Sequence, residues 1–374
     1  MKKKILFLIH DLGHGGAEKV LVNLVNNMDR SKFDISVTVL FGGGINEQFL
    51  APDIRFRAVW KKAVPGNSRL MKLLSPERLH KICVKERYDI EVSYLEGPSV
   101  RIISGCTIPE TKLVSWIHIE QKTSQRAAES FRSVYEAEEC YNRFDRIICV
   151  SETVKQDFTR VLNIKKPVSV LYNTNESAKI MELSKEDVPE GKFSDETVNL
   201  IAVGKVLKSK GMDRLARIEK RLLDEGYKAR MYILGAGPDK EEIERYLKDN
   251  DIVKEYIFLG YQTNPYKYVA RADLFVCASL AEGFSTAATE ALIVGTPVCT
   301  VEVSGMKEML GKHNEYGLVT ENTEEALYQG IKKLLDQPEL LSYYKEQAIK
   351  RGKDFRMEET VKAVEEMLEA LWLI

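Results

Sequence analysis

Two stretches of the chain repeat one pattern of hydrophobic and polar positions: an apolar strand, a turn that contains glycine, and an amphipathic helix. The strand, turn and helix cover residues 5–10, 11–16 and 17–28 in the first stretch, and 198–204, 205–211 and 212–226 in the second. Another apolar run follows each of them, at 35–40 and at 229–234. Strands that alternate with helices predict parallel sheets with helices on both faces.

Further short apolar runs predict the remaining strands. They lie at 90–94, 112–117, 146–150 and 168–171 in the first half, and at 256–259, 274–277, 297–300 and 317–319 in the second. Continuous apolar runs are typical of parallel strands that are buried on both faces. The polar, acidic segment 173–198 interrupts this rhythm and predicts a linker. We therefore predict an α/β protein with two doubly wound parallel-sheet domains, followed by an amphipathic helix over 357–374.

Composition excludes several classes of protein. The 374 residues are 44% hydrophobic and 30% charged, which is typical of globular domains and not of disordered chains. The formal net charge of −1 does not support a nucleic-acid partner. The six cysteines contain no C-x-x-C pair and match no zinc-module spacing, so we expect a reduced, cytoplasmic protein without a metal site.

The first ten residues resemble the start of a signal peptide. Three lysines precede the apolar run 5–9, but His10 and Asp11 follow that run at once, without a small-residue cleavage site. We therefore interpret the run as a buried strand. No apolar run approaches the roughly 18–20 residues that a membrane-spanning helix needs.

Charge is unevenly distributed along the chain. Residues 1–180 hold 28 basic and 21 acidic side chains, whereas residues 181–374 hold 27 and 35. The window 61–87 contains eight basic residues (Lys61, Lys62, Arg69, Lys72, Arg78, Lys81, Lys85 and Arg87) and two acidic ones. Pro76 predicts a helix start that places Arg78, Lys81 and Lys85 on one face. Basic groups beside apolar ones favour an anionic membrane surface, and the alternative is a solvated helix face.

The loops after strands are where open α/β sheets bind ligands. Gly13–Gly16 precede a helix whose first N–H groups can bind a phosphate, although a plain tight turn is the alternative. Glu18 stands where the dinucleotide-binding fingerprint requires a glycine. Lys205, Lys208 and Lys210 follow the strand 198–204 and suit a diphosphate, whereas the alternative is a solvated basic loop.

Two carboxylates stand at the start of a strongly apolar helix. Glu282 precedes Gly283, Phe284, Ser285 and Thr286, and Glu290 lies about two turns into the helix. A carboxylate in an apolar environment is costly unless it binds something, and carboxylates accept hydrogen bonds from sugar hydroxyls. The alternative is that Glu282 caps the helix and Glu290 lies on the surface.

Two further candidates are weaker. His118 ends the strand 112–117, and it is either a satisfied core histidine or a functional group. Asp249-Asn250-Asp251 imitates a metal-binding motif, but it lies in a charged stretch that we interpret as solvated surface.

Taken together, these motifs resemble the retaining group 1, or family 4, glycosyltransferases, which have the GT-B fold and include bacterial capsular and exopolysaccharide enzymes. The E-x7-E pair of Glu282 and Glu290, followed by Gly295-Thr296-Pro297-Val298, carries the resemblance. G-G-A-E at 15–18 and G-A-G-P at 235–238 support it. The chain departs from the family at Lys205, where arginine is common, and at Ser285, where many members have glycine.

The resemblance implies three structural parts that face or cross a cleft. Residues 1–175 would form a Rossmann-like acceptor domain, 176–355 a Rossmann-like nucleotide-sugar domain, and 356–374 a helix that crosses back to the first. It implies catalytic roles for His118, Lys205, Lys210 and Glu282. It implies donor-binding roles for Gly15, Gly16, Gly204, Gly237, Gly283, Phe284, Ser285, Thr286 and Glu290. In this family the lysines and helix termini replace a metal, so we expect neither metal nor cofactor.

We therefore expect a hexosyltransferase at the inner face of the cell membrane. It would move a sugar, with retention, from a nucleotide-diphosphate sugar, expected to be a UDP-sugar, to a glycan or lipid-linked acceptor of cell-surface polysaccharide. Arg69, Lys72, Arg78, Lys81 and Lys85 would form the membrane or acceptor patch. The alternatives are a sugar-nucleotide epimerase on the same scaffold and a non-catalytic nucleotide-sugar-binding protein.

Overall fold

The chain folds into two compact units, described by a computed structural model for residues 2–63, 71–189, 193 and 196–372. The N-terminal unit comprises Met1–Thr174 and Glu358–Ile374, and the C-terminal unit comprises Asn175–Met357. Each unit is built on one parallel sheet.

The N-terminal unit contains a seven-stranded sheet in the order β3-β2-β1-β4-β5-β6-β7. Its strands are β1 Lys3–Ile9, β2 Phe33–Phe41, β3 Arg55–Trp60, β4 Ile90–Ser93, β5 Lys112–Ile117, β6 Arg146–Cys149 and β7 Val168–Val170. Every pairing is parallel, with Phe7 of β1 opposite both Val37 and Val92. The five residues Ile5–Ile9 are at most 1% exposed, which explains the uninterrupted apolar run.

Helices connect these strands. They are α1 Gly16–Asn27, α2 Pro76–Cys83, α3 Pro98–Ile103, α4 Ser124–Ala127, α5 Val134–Tyr141 and α6 Glu152–Val161, with a 3₁₀ turn at Ile45–Phe49. Helices α2 and α4–α6 begin at Ser75, Thr123, Ser133 and Ser151, and each of these hydroxyls accepts a hydrogen bond from a first-turn N–H.

The C-terminal unit contains a six-stranded parallel sheet in the order β10-β9-β8-β11-β12-β13. Its strands are β8 Val198–Val203, β9 Ala229–Leu234, β10 Tyr256–Gly260, β11 Leu274–Cys277, β12 Val298–Val301 and β13 Leu318–Thr320. Its helices are α7 Ser177–Leu183, α8 Met212–Asp224, α9 Lys240–Asp249, α10 Tyr266–Val269, α11 Thr286–Ile293, α12 Met306–Leu310, α13 Glu324–Asp336 and α14 Pro338–Gly352, with a 3₁₀ turn at Lys208–Lys210.

Both sheets reverse their strand order next to their first strand. The chain proceeds outward from β1 to β3 and then returns to place β4 on the other side of β1, and it repeats this from β8 to β11. The carboxyl ends of β1 with β4, and of β8 with β11, are therefore the topological switch points, where such sheets bind ligands.

The last helix, α15 Met357–Ala370, is shorter than the predicted span 357–374. Its Glu365 accepts a hydrogen bond from the Asp29 backbone N–H at 2.5 Å, and its Glu369 pairs with Lys32 at 2.9 Å. None of the helices within the described residues has the length and apolar character needed to cross a membrane.

The structure corrects three sequence predictions. Strand β3 was not predicted, because it is an edge strand whose Arg55 is exposed and interrupts the apolar pattern. The segment 173–198 is not only a linker, since it contains α7, which packs on α10 and α11. Helix α2 ends at Cys83, so Lys85 lies beyond the helix and not on its face.

Candidate functional site

The switch point of the C-terminal unit brings two loops together. One loop leaves β8 and carries Lys205 to Gly211, and the other leaves β11 and carries residues 278–285 before α11. Because β8 and β11 are paired neighbours, with Leu274 opposite Leu200, both loops emerge at the same edge of the sheet.

A charged cluster joins these loops. The Lys210 ammonium lies 2.5 Å from Oε1 of Glu282, and the Ser279 hydroxyl donates to the same oxygen at 2.6 Å. The side chains of Lys210 and Glu282 are 31% and 14% exposed, so the pair is reachable from solvent. The cluster can therefore exchange its internal contacts for those of a charged ligand.

The other two lysines of this loop differ from Lys210. Lys208 pairs with Glu242 at 3.3 Å, on an exposed part of the surface. Lys205 is exposed and forms no ion pair with any residue that the structure describes. Its ammonium is available to a ligand phosphate without first breaking a contact.

Two glycines allow neighbouring loops to approach the loop after β8 closely. Gly211 has φ +68°, and a Cβ at this position would lie 2.2 Å from the Ala278 carbonyl oxygen. A Cβ on Gly237 would lie 2.2 Å from the Val206 carbonyl oxygen. Side chains at either position would separate backbone segments that frame the charged cluster.

Helix α11 begins with a cap that is not Glu282. The Ser285 hydroxyl accepts from the Ala288 N–H at 3.4 Å, so the interpretation of Glu282 as the capping residue is wrong. Gly283 and Phe284 are buried next to this cap, whereas Thr286 is half-buried.

Glu290 is buried, so the surface interpretation of this residue is also wrong. Its carboxylate is 5% exposed and accepts a hydrogen bond from the Tyr266 hydroxyl at 3.5 Å. Tyr266 and Ser279 are contacts that sequence reasoning missed. Tyr266 lies on α10 whereas Glu290 lies on α11, and Ser279 lies three residues before Glu282 in the same loop.

The switch point of the N-terminal unit carries the glycine-rich turn. The Asp11 carboxylate accepts from the Gly13 N–H at 2.7 Å, and the Asn46 amide donates to the Gly13 carbonyl. Helix α1 begins after Gly15 without a side-chain cap. The Glu18 carboxylate lies against Gly15, so an anion that accepts from the first N–H groups would take the place of this carboxylate.

His118 follows β5 at the same edge of the sheet. Its ring lies 4.8 Å from the ring of Tyr94, and its buried Nε2 has no hydrogen-bond partner within the described part of the chain. Burial lowers the pKa of His118 to about 3, although a hydrogen bond to the Tyr94 backbone carbonyl opposes this shift. The lowered pKa favours a neutral imidazole at pH 7, with one ring nitrogen bonded to the Tyr94 backbone and the other without a partner among the described residues.

Glu96 positions His118 and was not predicted. Its carboxylate accepts from the His118 backbone N–H at 2.9 Å. Burial raises the pKa of Glu96, and the hydrogen bond from His118 opposes this effect. Only the strand order that places β5 beside β4 reveals this contact.

The predicted basic patch is partly described. Arg78, Lys81 and Lys85 are exposed and Lys72 is half-buried, whereas Arg69 lies outside the described residues. Asp249 and Asp251, in the motif that imitates a metal site, are exposed, which agrees with the surface interpretation.

Two family models match the chain. The model described as glycosyl transferases group 1 matches residues 184–351, and the model described as glycosyltransferase family 4 matches residues 14–174. A Campylobacter jejuni relative is 28% identical over 94% of this chain and 96% of its own length. It is named N-acetylgalactosamine-N,N'-diacetylbacillosaminyl-diphospho-undecaprenol 4-alpha-N-acetylgalactosaminyltransferase.

Solved structures show the same fold. Anabaena HepE in complex with UDP has a TM-score of 0.75 and 19% identity, over 99% of this chain and 100% of that one. Sucrose-phosphate synthase from Thermosynechococcus elongatus has a TM-score of 0.82 and 15% identity, over the whole of both chains.

Each of the two parallel-sheet units carries candidate ligand-binding residues at its switch point. Together with the similarity to these solved structures, this architecture defines a GT-B protein. The two matching models span most of the chain between them. The chain belongs to the group 1 glycosyltransferases, as the sequence motifs indicated, and it is a glycosyltransferase.

Proposed function

We propose that this enzyme transfers a sugar from a UDP-sugar, with retention of anomeric configuration and without a metal ion, to a lipid-linked glycan acceptor of cell-surface polysaccharide. The observation that carries the proposal is the cluster of Lys210, Glu282 and Ser279 at the β8/β11 switch point. The presence of UDP in the HepE structure and the diphospho-undecaprenol acceptor in the name of the Campylobacter relative support it.

The donor contacts follow from the charges at this switch point. We assign the diphosphate to Lys205 and Lys210, with the start of α11 at Ser285 and Thr286 adding N–H donors. Entry of the diphosphate would release Glu282 from Lys210, so that the carboxylate can accept from sugar hydroxyls. Glu290 would accept from the ribose, and Gly204, Gly237, Gly283 and Phe284 would line the backbone around the nucleotide.

The N-terminal unit supplies neutral hydrogen-bonding groups. We assign His118 a hydrogen bond to a sugar hydroxyl, because its buried Nε2 lacks a partner within the described residues and its ring is neutral. The N–H groups of Gly15 and Gly16 at the start of α1 would donate to a phosphate oxygen once the Glu18 carboxylate moves aside.

The reaction we propose is a same-face displacement. The bond between the anomeric carbon and the diphosphate oxygen breaks, and the acceptor oxygen forms its bond on the same face of the sugar. The departing phosphate takes the acceptor proton. Lys205 and Lys210 stabilise the negative charge that grows on the diphosphate, which is the role of a metal in other transferases.

A direct assay tests this proposal. Incubation with UDP-N-acetylgalactosamine or other UDP-sugars and a polyprenyl-diphosphate-linked saccharide should give a product whose new linkage keeps the donor's anomeric configuration by NMR. Transfer should persist in EDTA. Inversion, or activity restored only by added Mg²⁺, would refute the corresponding part of the mechanism. Conversion of donor without acceptor would instead indicate an epimerase.

We further propose that the basic patch docks on an anionic membrane. The segment 71–74 presents the Leu73 side chain at 77% exposure, and Arg78 and Lys81, which follow it closely in sequence, are also exposed. An exposed leucine beside cations favours the interface of an anionic bilayer.

Two arginines hold this segment in place. Arg101, which is 1% exposed, donates to the carbonyls of Met71 and Leu74 at 2.7 Å each. Arg132 donates to three carbonyls in the same segment, at 2.7, 3.3 and 3.0 Å. These hydrogen bonds hold the backbone that carries Leu73 in place, which lowers the conformational entropy lost when the side chain inserts into a membrane.

Vesicle sedimentation tests the docking. The protein should pellet with phosphatidylglycerol vesicles and not with phosphatidylcholine vesicles. The double variant Arg78→Ala/Lys81→Ala should lose about thirtyfold in partitioning, since each cation near the surface contributes about 1 kcal/mol. Lys362→Ala, which removes an exposed lysine of α15, is the matched control. Equal pelleting of the double variant and the control would refute docking through this patch.

A further inference from the structure

The N-terminal unit contains a cluster of metal-ligating side chains that the proposed transfer does not use. His80 lies on α2, Glu91 on β4, and Cys106 just beyond the end of α3. One ligand atom from each, the imidazole nitrogen, a carboxylate oxygen and the thiol sulfur, all lie within 4.8 Å of one another. The three residues are 8%, 0% and 4% exposed.

The contacts inside the cluster satisfy only part of the hydrogen-bonding capacity of the Glu91 carboxylate. Nε2 of His80 lies 2.7 Å from Oε2, and the Cys106 thiol makes only a weak contact with Oε1 at 3.9 Å. A carboxylate offers about four lone-pair sites, and a fully buried one needs strong partners to offset its lost hydration.

We propose that His80, Glu91 and Cys106 bind one Zn²⁺ ion. Nitrogen, oxygen and sulfur are the three donor types that zinc takes from proteins. Zinc binds cysteine as the thiolate and histidine as the neutral imidazole, so any proton on these two groups is released to solvent when the ion binds.

The local geometry allows this exchange. The contact between His80 and Glu91 has hydrogen-bond length, and it lengthens when the shared proton gives way to an ion bound to both side chains at about 2.0–2.2 Å. His80 is the most exposed of the three residues, with 10% of its side chain exposed, and a water molecule would supply the fourth ligand.

The site would be structural. It would fasten α2, which carries Arg78 and Lys81, to a central strand of the sheet and to the end of α3. The inference does not depend on the proposed transfer reaction, because it rests on residues that have no role in that reaction.

Cobalt substitution tests the site. Protein stripped with a chelator under reducing conditions is titrated with Co²⁺. We expect a thiolate-to-cobalt charge-transfer absorption that saturates at one ion per chain and that Zn²⁺ abolishes. Added Zn²⁺ should also raise the melting temperature of the wild-type protein.

Variants identify the ligands. Cys106→Ser should abolish the charge-transfer absorption, and both it and His80→Gln should weaken Zn²⁺ binding by at least about tenfold, as expected for loss of a ligand. Cys140→Ser, which changes another buried cysteine of the same unit, should keep both signals. Absence of a cobalt signal in the wild-type protein, or its survival in Cys106→Ser, would show that the cluster is only a buried ion pair.

Discussion

The two switch points share one topology but differ in chemistry. In the C-terminal unit the neighbouring loops hold an ion pair, Lys210 with Glu282, that a charged ligand can exchange. In the N-terminal unit the corresponding edge holds His118, whose lowered pKa favours a neutral imidazole, and the glycine-rich start of α1. The same sheet edge can thus be equipped either to neutralise charge or to donate and accept neutral hydrogen bonds.

This difference has a physical reason. A diphosphate that departs with increasing negative charge needs cations, whereas a sugar needs directional hydrogen bonds that do not add charge. Four substitutions can break or sharpen the comparison, and they follow in order of decreasing effect on transfer.

Removal of the Lys210 ammonium should have the largest effect. We expect Lys210→Ala to lower kcat by about 10²–10³-fold, since it removes a cation that stabilises charge on the leaving diphosphate. Steady-state kinetics with a UDP-sugar measure it. Lys208→Ala is the control, because Lys208 pairs with Glu242 on an exposed surface and its loss should change kcat less than twofold. Equal losses of kcat in the two variants would contradict the different roles assigned to Lys208 and Lys210.

Removal of the His118 ring should have a smaller effect. We expect His118→Ala to lower kcat/KM by about 10–100-fold, because a hydrogen bond to the sugar is lost. The pH profile provides an independent check. Since the pKa of His118 is lowered to about 3, its protonation cannot reduce activity between pH 8 and pH 5. A loss of activity with an apparent pKa near 6.5 that disappears in the variant would contradict a neutral imidazole.

A substitution of Glu290 tests nucleotide binding separately from the stabilisation of charge on the leaving group. Glu290→Gln should raise the KM for the donor by about tenfold and leave kcat nearly unchanged, since a ribose contact is the same in ground and transition states. Tyr266→Phe, which removes only the partner hydroxyl, should have a smaller effect. A fall in kcat as large as that of Lys210→Ala would instead indicate that Glu290 acts in the chemical step.

Glu219 should affect stability and not transfer. This glutamate of α8 is fully buried, its carboxylate oxygens have no hydrogen-bond partner among the described residues, and burial raises its pKa to about 8, with Glu255 contributing. The folded state therefore holds a proton that the unfolded state releases. Stability should fall as pH rises from about 4.5 to about 8, by an amount on the order of 4 kcal/mol.

Glu219→Gln should remove this pH dependence. Urea unfolding at pH 5 and pH 8 measures it, and the variant should differ from the wild-type protein mainly at pH 8. An unchanged slope would show that Glu219 is ionised in the folded state. Transfer at moderate temperature should remain within twofold, in contrast to the switch-point variants.

Much of the fold could be predicted because buried parallel strands are apolar along their whole length. Ile5–Ile9 and Leu274–Cys277 show this pattern directly. The pattern fails at β3, where an exposed edge tolerates Arg55, and at α7, which is short and lies within polar sequence. The extent of α2 was misjudged because the basic spacing continues to Lys85 after the helix has ended.

The sequence by itself determined the two α/β units and the loops that carry Lys210, Glu282 and Glu290, because apolar periodicity and strand-to-loop order are local properties of the chain. The tertiary structure alone decided which groups meet. Lys210 with Glu282, Tyr266 with Glu290, and Glu96 with His118 come from different elements. The cluster of His80, Glu91 and Cys106 is the clearest case, since no short spacing announces it. It forms because a helix, a strand and a helix end meet at one buried position. Polar groups buried there cost free energy unless they interact with one another.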